Sequence, residues 1–361
     1  SSREPVEAPV FVTSSSPGRV RLRFRYWAVV DGRFVEDEAT QVLTSVLPPL
    51  RFDVSRDGAI DDGDREGWLG GRCFRYWTNQ DTVKGDFVGD EGDGSPNASD
   101  LKVNGTYDLV NFFPAALDTG DFRSTWGTTG VKYVLKPTWG QRGALNFCLA
   151  DVPWTRAGSM QTTNVSVLAQ SGQTAPSLSQ ATLTELPSDG IEIPGQVLGR
   201  FSEASGLLVC EARTPGISVS FEVWKGDELL FTYTPQMEIR PVKEMYSWFN
   251  FRQLSGGTAE RPSVTHVLAD ERNTKSLVFL HGANVSEVDA EAWGDALFKR
   301  LWLSGVKADF YNVDWRSNIG GAADYHANAS NAFVVAGQIA STIQDIPGEK
   351  VLMAHSLGNM V

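Results

Sequence analysis

Apolar and polar side chains alternate along several stretches in the first two thirds of the chain, as is typical of β-strands. Residues 20–30 alternate basic with apolar side chains, then become continuously apolar, and an Asp-Gly turn pair follows. Short alternating runs recur over residues 130–241, most clearly at 217–223 and 229–233. Strands at this spacing predict a β-sandwich or a related antiparallel sheet.

The pattern changes after about residue 270, where apolar runs lack polar alternation and are separated by segments of helical spacing. The runs lie at residues 276–280, 306–313 and 350–354. Such runs are typical of parallel strands that are buried on both faces. Ser286 with Asp289 three residues later predicts the start of one helix, and a second helix is predicted over 325–346. The order is that of a βαβαβ unit, which right-handed crossovers arrange as a parallel sheet covered by helices.

Two kinds of pattern within 361 residues predict a multidomain protein with a β-rich, sandwich-like first part and a partial α/β domain with a parallel sheet. We expect a β-rich region with an acidic loop over residues 1–125 and a β-sandwich-like region over 126–245. The N-terminal part of the α/β domain is expected over 246–361. Because the chain starts without methionine and stops just after its most informative motif, we expect a piece of a longer protein.

Charge and cysteine content narrow the possible partners. A net charge of −12 repels phosphate backbones, which argues against a nucleic-acid partner. The three cysteines, Cys73, Cys148 and Cys210, lie far apart without CxxC spacing, so neither a zinc site nor a disulfide scaffold is indicated. No run approaches the ~18 apolar residues of a transmembrane helix, so none is predicted. Protein partners stay unknown.

A short motif follows the last apolar run. Residues 354–358 are Ala-His-Ser-Leu-Gly, with Ser356 at the centre. This segment resembles the nucleophile elbow of α/β-hydrolases, G-x-S-x-G, in which the serine occupies a strained turn between strand and helix. The residues two before and two after the serine must be small so that strand and helix can pass closely. Ala354 departs from the usual glycine by one methyl group.

A His-Gly pair, His281 and Gly282, follows the first apolar run and strengthens the resemblance, which is closest to lipase- and esterase-like hydrolases and covers about residues 270–361. In such enzymes this turn and the residue after the serine supply the backbone N–H groups of the oxyanion hole. By resemblance, Ala283 and Leu357 are the donors and Ser356 is the nucleophile. The alternative is that Ser356 only caps a helix.

A serine nucleophile also needs a base and an acid, which in α/β-hydrolases follow the serine along the chain. The histidines of this chain are His266, His281, His326 and His355, and all precede Ser356. We expect His281 and His355 to be structural or to line the pocket, so the triad acid and histidine are expected to be missing from this piece. Trp315 follows the second strand and either lines an acyl or alcohol pocket or packs in the core.

An acidic stretch at residues 53–64 has the spacing of a calcium-binding loop. The predicted ligands are the side chains of Asp53, Ser55, Asp57, Asp61 and Asp64 and the carbonyl of Ala59. The stretch resembles the calcium loops of EF-hands and dockerins, except that Asp64 replaces the usual glutamate. Good flanking helices are missing, so we expect a structural ion; the alternative is a solvated acidic turn. A second acidic stretch over 79–93 fits no pattern, and a second calcium site stays open.

These observations together predict a serine hydrolase that acts on an ester or lipid substrate through an acyl-enzyme, within a larger extracytoplasmic or secreted protein. Structural calcium is the expected metal, and no catalytic cofactor is expected. The alternative is a non-enzymatic, calcium-stabilised adhesion or scaffold protein that contains a degenerate hydrolase-like unit.

Overall fold

The structure is a computed structural model of the chain. It describes residues 18–30, 33–45, 48–57, 60–64, 73–78, 112–138, 145–150, 184–193, 207–252, 273–320 and 324–361. These residues form several sheets and three α-helices, so the protein is of mixed α/β type and rich in strands. Within the described ranges, no helix has both the length and the apolar composition that crossing a membrane requires.

The first two strands, β1 (Gly18–Val30) and β2 (Arg33–Ser45), form a long antiparallel hairpin. Their register pairs Val30 with Arg33 on either side of the turn. The pairing confirms the hairpin predicted from alternation, while the two turn residues 31–32 lie outside the described part of the chain. In the described residues, β1 and β2 pair only with each other.

The next eleven strands and one short helix make up the β-rich part. In chain order they are β3 (Leu50–Arg51), β4 (Phe74–Trp77), β5 (Phe112–Leu117), α1 (Gly120–Trp126), β6 (Val131–Pro137), β7 (Leu145–Ala150), β8 (Thr184–Glu185), β9 (Ile191–Glu192), β10 (Leu207–Ala212), β11 (Val219–Lys225), β12 (Glu228–Tyr233) and β13 (Met237–Arg240). One antiparallel sheet has the order β3-β5-β10-β7-β8, and a second has the order β12-β11-β6-β9. The β11–β12 hairpin confirms the two strands predicted at 217–223 and 229–233.

The last part of the chain forms a four-stranded parallel sheet with two long helices. Its elements are β14 (Ser247–Asn250), β15 (Lys275–Leu280), α2 (Glu287–Leu303), β16 (Asp309–Asp314), α3 (Tyr325–Gln344) and β17 (Glu349–Ala354). The strand order is β14-β16-β15-β17, and every pairing in it is parallel. The predicted βαβαβ unit is therefore confirmed, and β14 is a fourth strand that the sequence pattern does not predict.

The two long helices cover opposite faces of the parallel sheet. Phe298 and Trp302 of α2 belong to the same buried cluster as Phe279 of β15. Val335 of α3 belongs to a second buried cluster with Val278, which is the neighbour of Phe279 along β15. Because successive residues of a strand point to opposite faces, α2 and α3 lie on different sides of the sheet.

The cluster beneath α2 also contains residues of both antiparallel sheets. Trp77 of β4 approaches Phe298 of α2 with their ring centroids 6.3 Å apart. The β-rich part and the α/β unit therefore share buried contacts. The first antiparallel sheet draws strands from both sides of the predicted boundary at residue 125, and the sandwich and three-domain descriptions stay predictions.

Candidate active site

The candidate site lies where two strands of the parallel sheet end side by side. From β15 the chain crosses to β16 on one side, and from β16 it crosses back to β17 on the other side. The carboxyl ends of β15 and β17 therefore flank a switch point in the connectivity, which is where open α/β sheets bind their ligands. His281 and Gly282 directly follow β15, and Ser356 lies two residues beyond the end of β17.

Gly282 lies in direct contact with the turn that carries Ser356. A Cβ atom placed on Gly282 would be 2.9 Å from Nδ1 of His355 and 3.0 Å from Cβ of Ser356. Distances this short leave no room for a side chain at position 282. The turn predicted to stabilise an oxyanion and the predicted nucleophile are thus adjacent.

Ser356 has the backbone conformation of a tight turn. Its φ is 52°, in the left-handed region that a serine rarely adopts, and it is the first residue of a short 3₁₀ helix, Ser356–Met360. Such conformations cost about 1–3 kcal/mol and cluster at functional sites. The side chain is exposed, and within the described residues its hydroxyl makes no hydrogen bond. His355 stands at the N-cap position of this helix without a side-chain capping bond, and Ser356 is the first helical residue, so the structure gives no capping hydrogen bond to Ser356.

The small residues on either side of Ser356 have different surroundings. A Cβ atom on Gly358 would lie 2.7 Å from the carbonyl oxygens of both Leu280 and His281, so the helix after the serine packs directly on the end of β15. Ala354 is exposed at the end of β17, where its methyl group has room.

Some backbone N–H groups of the 281–285 turn are hydrogen-bonded within the protein, and others are not. The N–H of Asn284 donates to the carbonyl of Ser317 at 2.6 Å, and the N–H of Val285 donates to the Ser317 hydroxyl at 3.1 Å. The N–H groups of Ala283 and Leu357 have no acceptor in the part of the chain that the structure describes. The two amides predicted to bind an oxyanion are therefore free to donate to one.

A buried polar network lies beneath this turn. His281 is fully buried, with Nε2 3.0 Å from Oδ1 of Asp314 and Nδ1 3.1 Å from the carbonyl oxygen of Gly282. Asp314 is also fully buried, and its two carboxylate oxygens share the Nε–H of Arg252 at 2.7 and 2.6 Å. Trp315 is fully buried as well, and its indole N–H donates to the carbonyl of His281 at 2.9 Å. His281 and Trp315 thus pack under the turn, which favours the core interpretation of Trp315.

An apolar groove adjoins the serine turn on the α2 side of β17. Its volume is about 460 Å³, and it is lined by Phe279, Trp293, Ala296, Leu297, Arg300, Met353, Ala354 and His355. His355 is exposed, and its ring meets the ring of Trp293 edge-on at 5.0 Å. The predicted binding residue His355 therefore joins the serine turn to this groove.

The described histidines do not supply a base for Ser356 in this structure. His281 is engaged with Asp314, and His326 is exposed at the start of α3 beside Tyr325. Across the described ranges, no histidine and no carboxylate is hydrogen-bonded to the Ser356 hydroxyl. His266 lies outside those ranges.

The acidic loop folds around its own carboxylates. Asp53 and Asp64 are buried, and the two oxygens of Asp64 accept the N–H of Ser55 at 2.7 Å and of Asp61 at 3.0 Å. Oδ1 of Asp53 accepts the N–H of Asp57 at 3.2 Å. The carboxylates of Asp53 and Asp64 thus bond to the backbone of their own loop, while Ala59 and Gly58 lie outside the described residues.

Calcium stays a prediction from this spacing. The loop offers hard oxygen donors, which suit calcium. Burial raises the pKa of the Asp64 carboxyl, and the nearby charge of Asp57 also raises it. Among the residues that the structure describes, however, no three acidic, histidine or cysteine side chains are grouped so that they could hold a metal ion. The second acidic stretch over 79–93 lies outside those residues.

Comparison of the chain with protein-family models, with curated proteins and with solved structures found no match. An exposed hydroxyl at a strained turn, two unused amides beside it and an adjoining apolar groove form an arrangement suited to nucleophilic attack on a carbonyl group.

Proposed function

We propose that this chain carries the nucleophile and the oxyanion hole of a serine hydrolase that cleaves ester bonds. The observation that carries the proposal is the position of Ser356, whose hydroxyl is exposed at a left-handed turn in contact with Gly282. The available amides of Ala283 and Leu357 support it further, because oxyanion stabilisation needs donors that are not already bonded.

The proposed reaction has two stages. Oγ of Ser356 attacks the carbonyl carbon, its proton passes to a general base, and the carbonyl oxygen becomes an oxyanion that accepts hydrogen bonds from Ala283 and Leu357. The C–O bond to the alcohol then breaks, and the base returns the proton to the departing alcohol. An acyl-enzyme on Ser356 remains. Water attacks this ester with the help of the same base, so the acid is released and Ser356 is regenerated.

The base and the acid that orients it are proposed to come from sequence beyond these 361 residues. His281 is buried and engaged with Asp314, and within the described residues neither His326 nor His355 is hydrogen-bonded to the Ser356 hydroxyl. This requirement makes the proposal specific, because the nucleophile and the oxyanion donors alone support little turnover.

The groove beside Ser356 supports an ester with an apolar acyl or alcohol group as the substrate class. Aromatic and aliphatic side chains, among them Phe279, Trp293 and Leu297, dominate its lining, and Arg300 and His355 are its polar members. A volume of about 460 Å³ is within the range of small-molecule sites. A small lipid or ester would bury its apolar group there.

The test is covalent labelling of the full-length protein with a fluorophosphonate, which phosphonylates activated serines. We expect one adduct, located by peptide mass spectrometry at Ser356 and absent from a Ser356→Ala variant. Ser330→Ala, at an exposed position of α3, is the matched control and is expected to label like the wild type. An esterase-active preparation without an adduct at Ser356 would refute the mechanism, and an inactive, unlabelled protein would favour the non-enzymatic scaffold.

A second test uses the 361-residue chain itself. We expect its hydrolysis of p-nitrophenyl esters to stay close to the rate of a Ser356→Ala variant, since the proposed base is not part of it. Full turnover by this chain that depends on Ser356 would show that the base lies within residues 1–361, and the assignment of the triad would have to be revised.

A further inference from the structure

We infer that Arg252 and Asp314 are positioning residues that hold the 281–285 turn in place for the oxyanion. The inference depends on the proposed function, because it concerns how that site is built. In the part of the chain that the structure describes, neither side chain is hydrogen-bonded to the Ser356 hydroxyl. Both act through the turn that carries Ala283.

Asp314 connects two elements of the site from a fully buried position at the end of β16. Its carboxylate lies 3.0 Å from Nε2 of His281, and its two oxygens share the single Nε–H of Arg252. A carboxylate that is withdrawn from water needs such partners, since an unpaired buried charge strongly destabilises the fold. The pairing therefore fixes the position of His281 at the start of the turn.

Arg252 reaches the other end of the same turn. It lies two residues beyond β14, and its Nη2 donates to the carbonyl of Val285 at 2.8 Å while Nη1 donates to Oδ1 of Asn318 at 3.3 Å. One planar guanidinium thus binds the carboxylate and the turn backbone together, which is a geometry that lysine cannot reproduce.

The turn is consequently held at both ends, with Ala283 between them. His281 anchors the start through Asp314, and Arg252 anchors the end at Val285. Donors that stabilise an oxyanion act through preorganisation, and displacement of a reacting group by about 1 Å can cost 10²-fold in rate. The network thereby determines where the Ala283 N–H points, which goes beyond a contribution to folding stability.

The experiment compares the rates of fluorophosphonate labelling and of ester hydrolysis in the full-length protein. We expect Asp314→Asn to lower both the labelling rate and kcat by about 10- to 100-fold with little change in KM. Arg252→Lys keeps the charge and is expected to give a smaller loss. The control is Asp118→Asn, because Asp118 pairs with the buried Arg51 at 2.8 Å in the β-rich part. This control is expected to lower thermal stability without changing labelling by the folded protein.

Each outcome decides a separate question. If the wild type is not labelled at Ser356, the proposed function fails and the inference fails with it. If the wild type is labelled and both Asp314→Asn and Arg252→Lys label as fast as Asp118→Asn, the function stands and the positioning role is refuted. Should Asp314→Asn not fold, Arg252→Lys decides, together with hydrogen exchange of the peptide over 281–285. Faster exchange there than in Asp118→Asn supports the role, and equal exchange overturns it.

Discussion

Glycine at two positions determines how closely the ends of β15 and β17 approach each other. Gly282 leaves room for the Ser356 turn, and Gly358 allows the following helix to pack on the carbonyls of Leu280 and His281. Neither glycine has a positive φ, so the requirement is for space rather than for a special backbone conformation. The strained residue of the elbow is the serine itself.

Substitution of Gly358 by alanine tests this close approach. The added Cβ would lie 2.7 Å from two backbone oxygens, so we expect Gly358→Ala to lower the free energy of unfolding by about 1–3 kcal/mol. The control is Gly337→Ala in α3, where nothing lies within 4 Å of the added atom and helix propensity predicts a gain of up to about 1 kcal/mol. Urea unfolding measures both, and equal stabilities for the two variants would contradict the packing argument.

The Asp64 carboxyl makes a testable contribution to the pH dependence of stability. Burial raises its pKa above the ordinary value of 3.8, and the hydrogen bonds from Ser55 and Asp61 offset the rise only in part. The folded protein then binds this proton more tightly than the unfolded chain does. The stability that Asp64 contributes is therefore complete below pH 3.8 and is lost as the pH rises through the raised pKa.

We expect the difference in the free energy of unfolding between the wild type and Asp64→Asn to decrease as the pH rises from about 4 to about 7. Urea unfolding in calcium-free buffer at several pH values gives this difference. The contributions of other titrating groups cancel because both proteins contain them. A difference that grows with pH would mean that the carboxylate is stabilised by the fold, contrary to the effect of its burial.

At the scale of elements, local patterns predicted the α/β unit well. Apolar runs and helix-start signals predicted β15, α2, α3 and β17 to within a few residues. Strand burial and helix capping depend on residue types at neighbouring positions, so a local pattern can predict them. β14 has four residues, and its place beside β16 is decided by pairing with a strand some 60 residues away, which no local pattern contains.

The same distinction applies to the site. The motif and the His-Gly pair predicted that the Ser356 turn lies next to Gly282, because a close approach of two backbones requires small residues, which are visible in the sequence. Asp314 directly follows the apolar run at 306–313, but the run alone assigns it no role. Its partner Arg252 was not predicted either, because the two are separated by 62 residues and a lone arginine carries no signal of an ion pair.

The start of α2 offers a test at this scale. Ser286 and Asp289 form a capping box, in which each side chain bonds to the backbone N–H of the other residue. We expect Ser286→Ala to lower the free energy of unfolding by about 1 kcal/mol. Ser330→Ala, inside α3 and exposed, is expected to leave stability unchanged or slightly raised, and chemical denaturation compares the two. A neutral Ser286→Ala would show that the cap adds nothing to the packing of α2.

At the scale of the whole molecule, the acidic loop at residues 53–64 contacts the C-terminal end of α2. The guanidinium of Arg56 lies 3.9 Å from the ring centre of Trp302, and its Nη1 approaches the carbonyl of Val306 at 3.5 Å. Gly305 has a φ of 72°, and a Cβ there would lie 2.7 Å from the carbonyl oxygen of Arg56. The predicted calcium loop and the α/β unit therefore share a close interface.

This interface makes calcium binding measurable at a distance from the loop. If calcium binds the folded loop alone, it stabilises the protein by about 2.7 kcal/mol at one hundred times its dissociation constant. We expect calcium to raise the melting temperature and to slow hydrogen exchange at the C-terminal end of α2 in the wild type. In Arg56→Ala, the melting temperature should still rise, but the change in exchange at α2 should be reduced. Lys275→Ala, exposed on β15, should respond like the wild type. A melting temperature that neither calcium nor chelator changes would rule out the ion, and an undiminished response in Arg56→Ala would rule out the coupling through this contact.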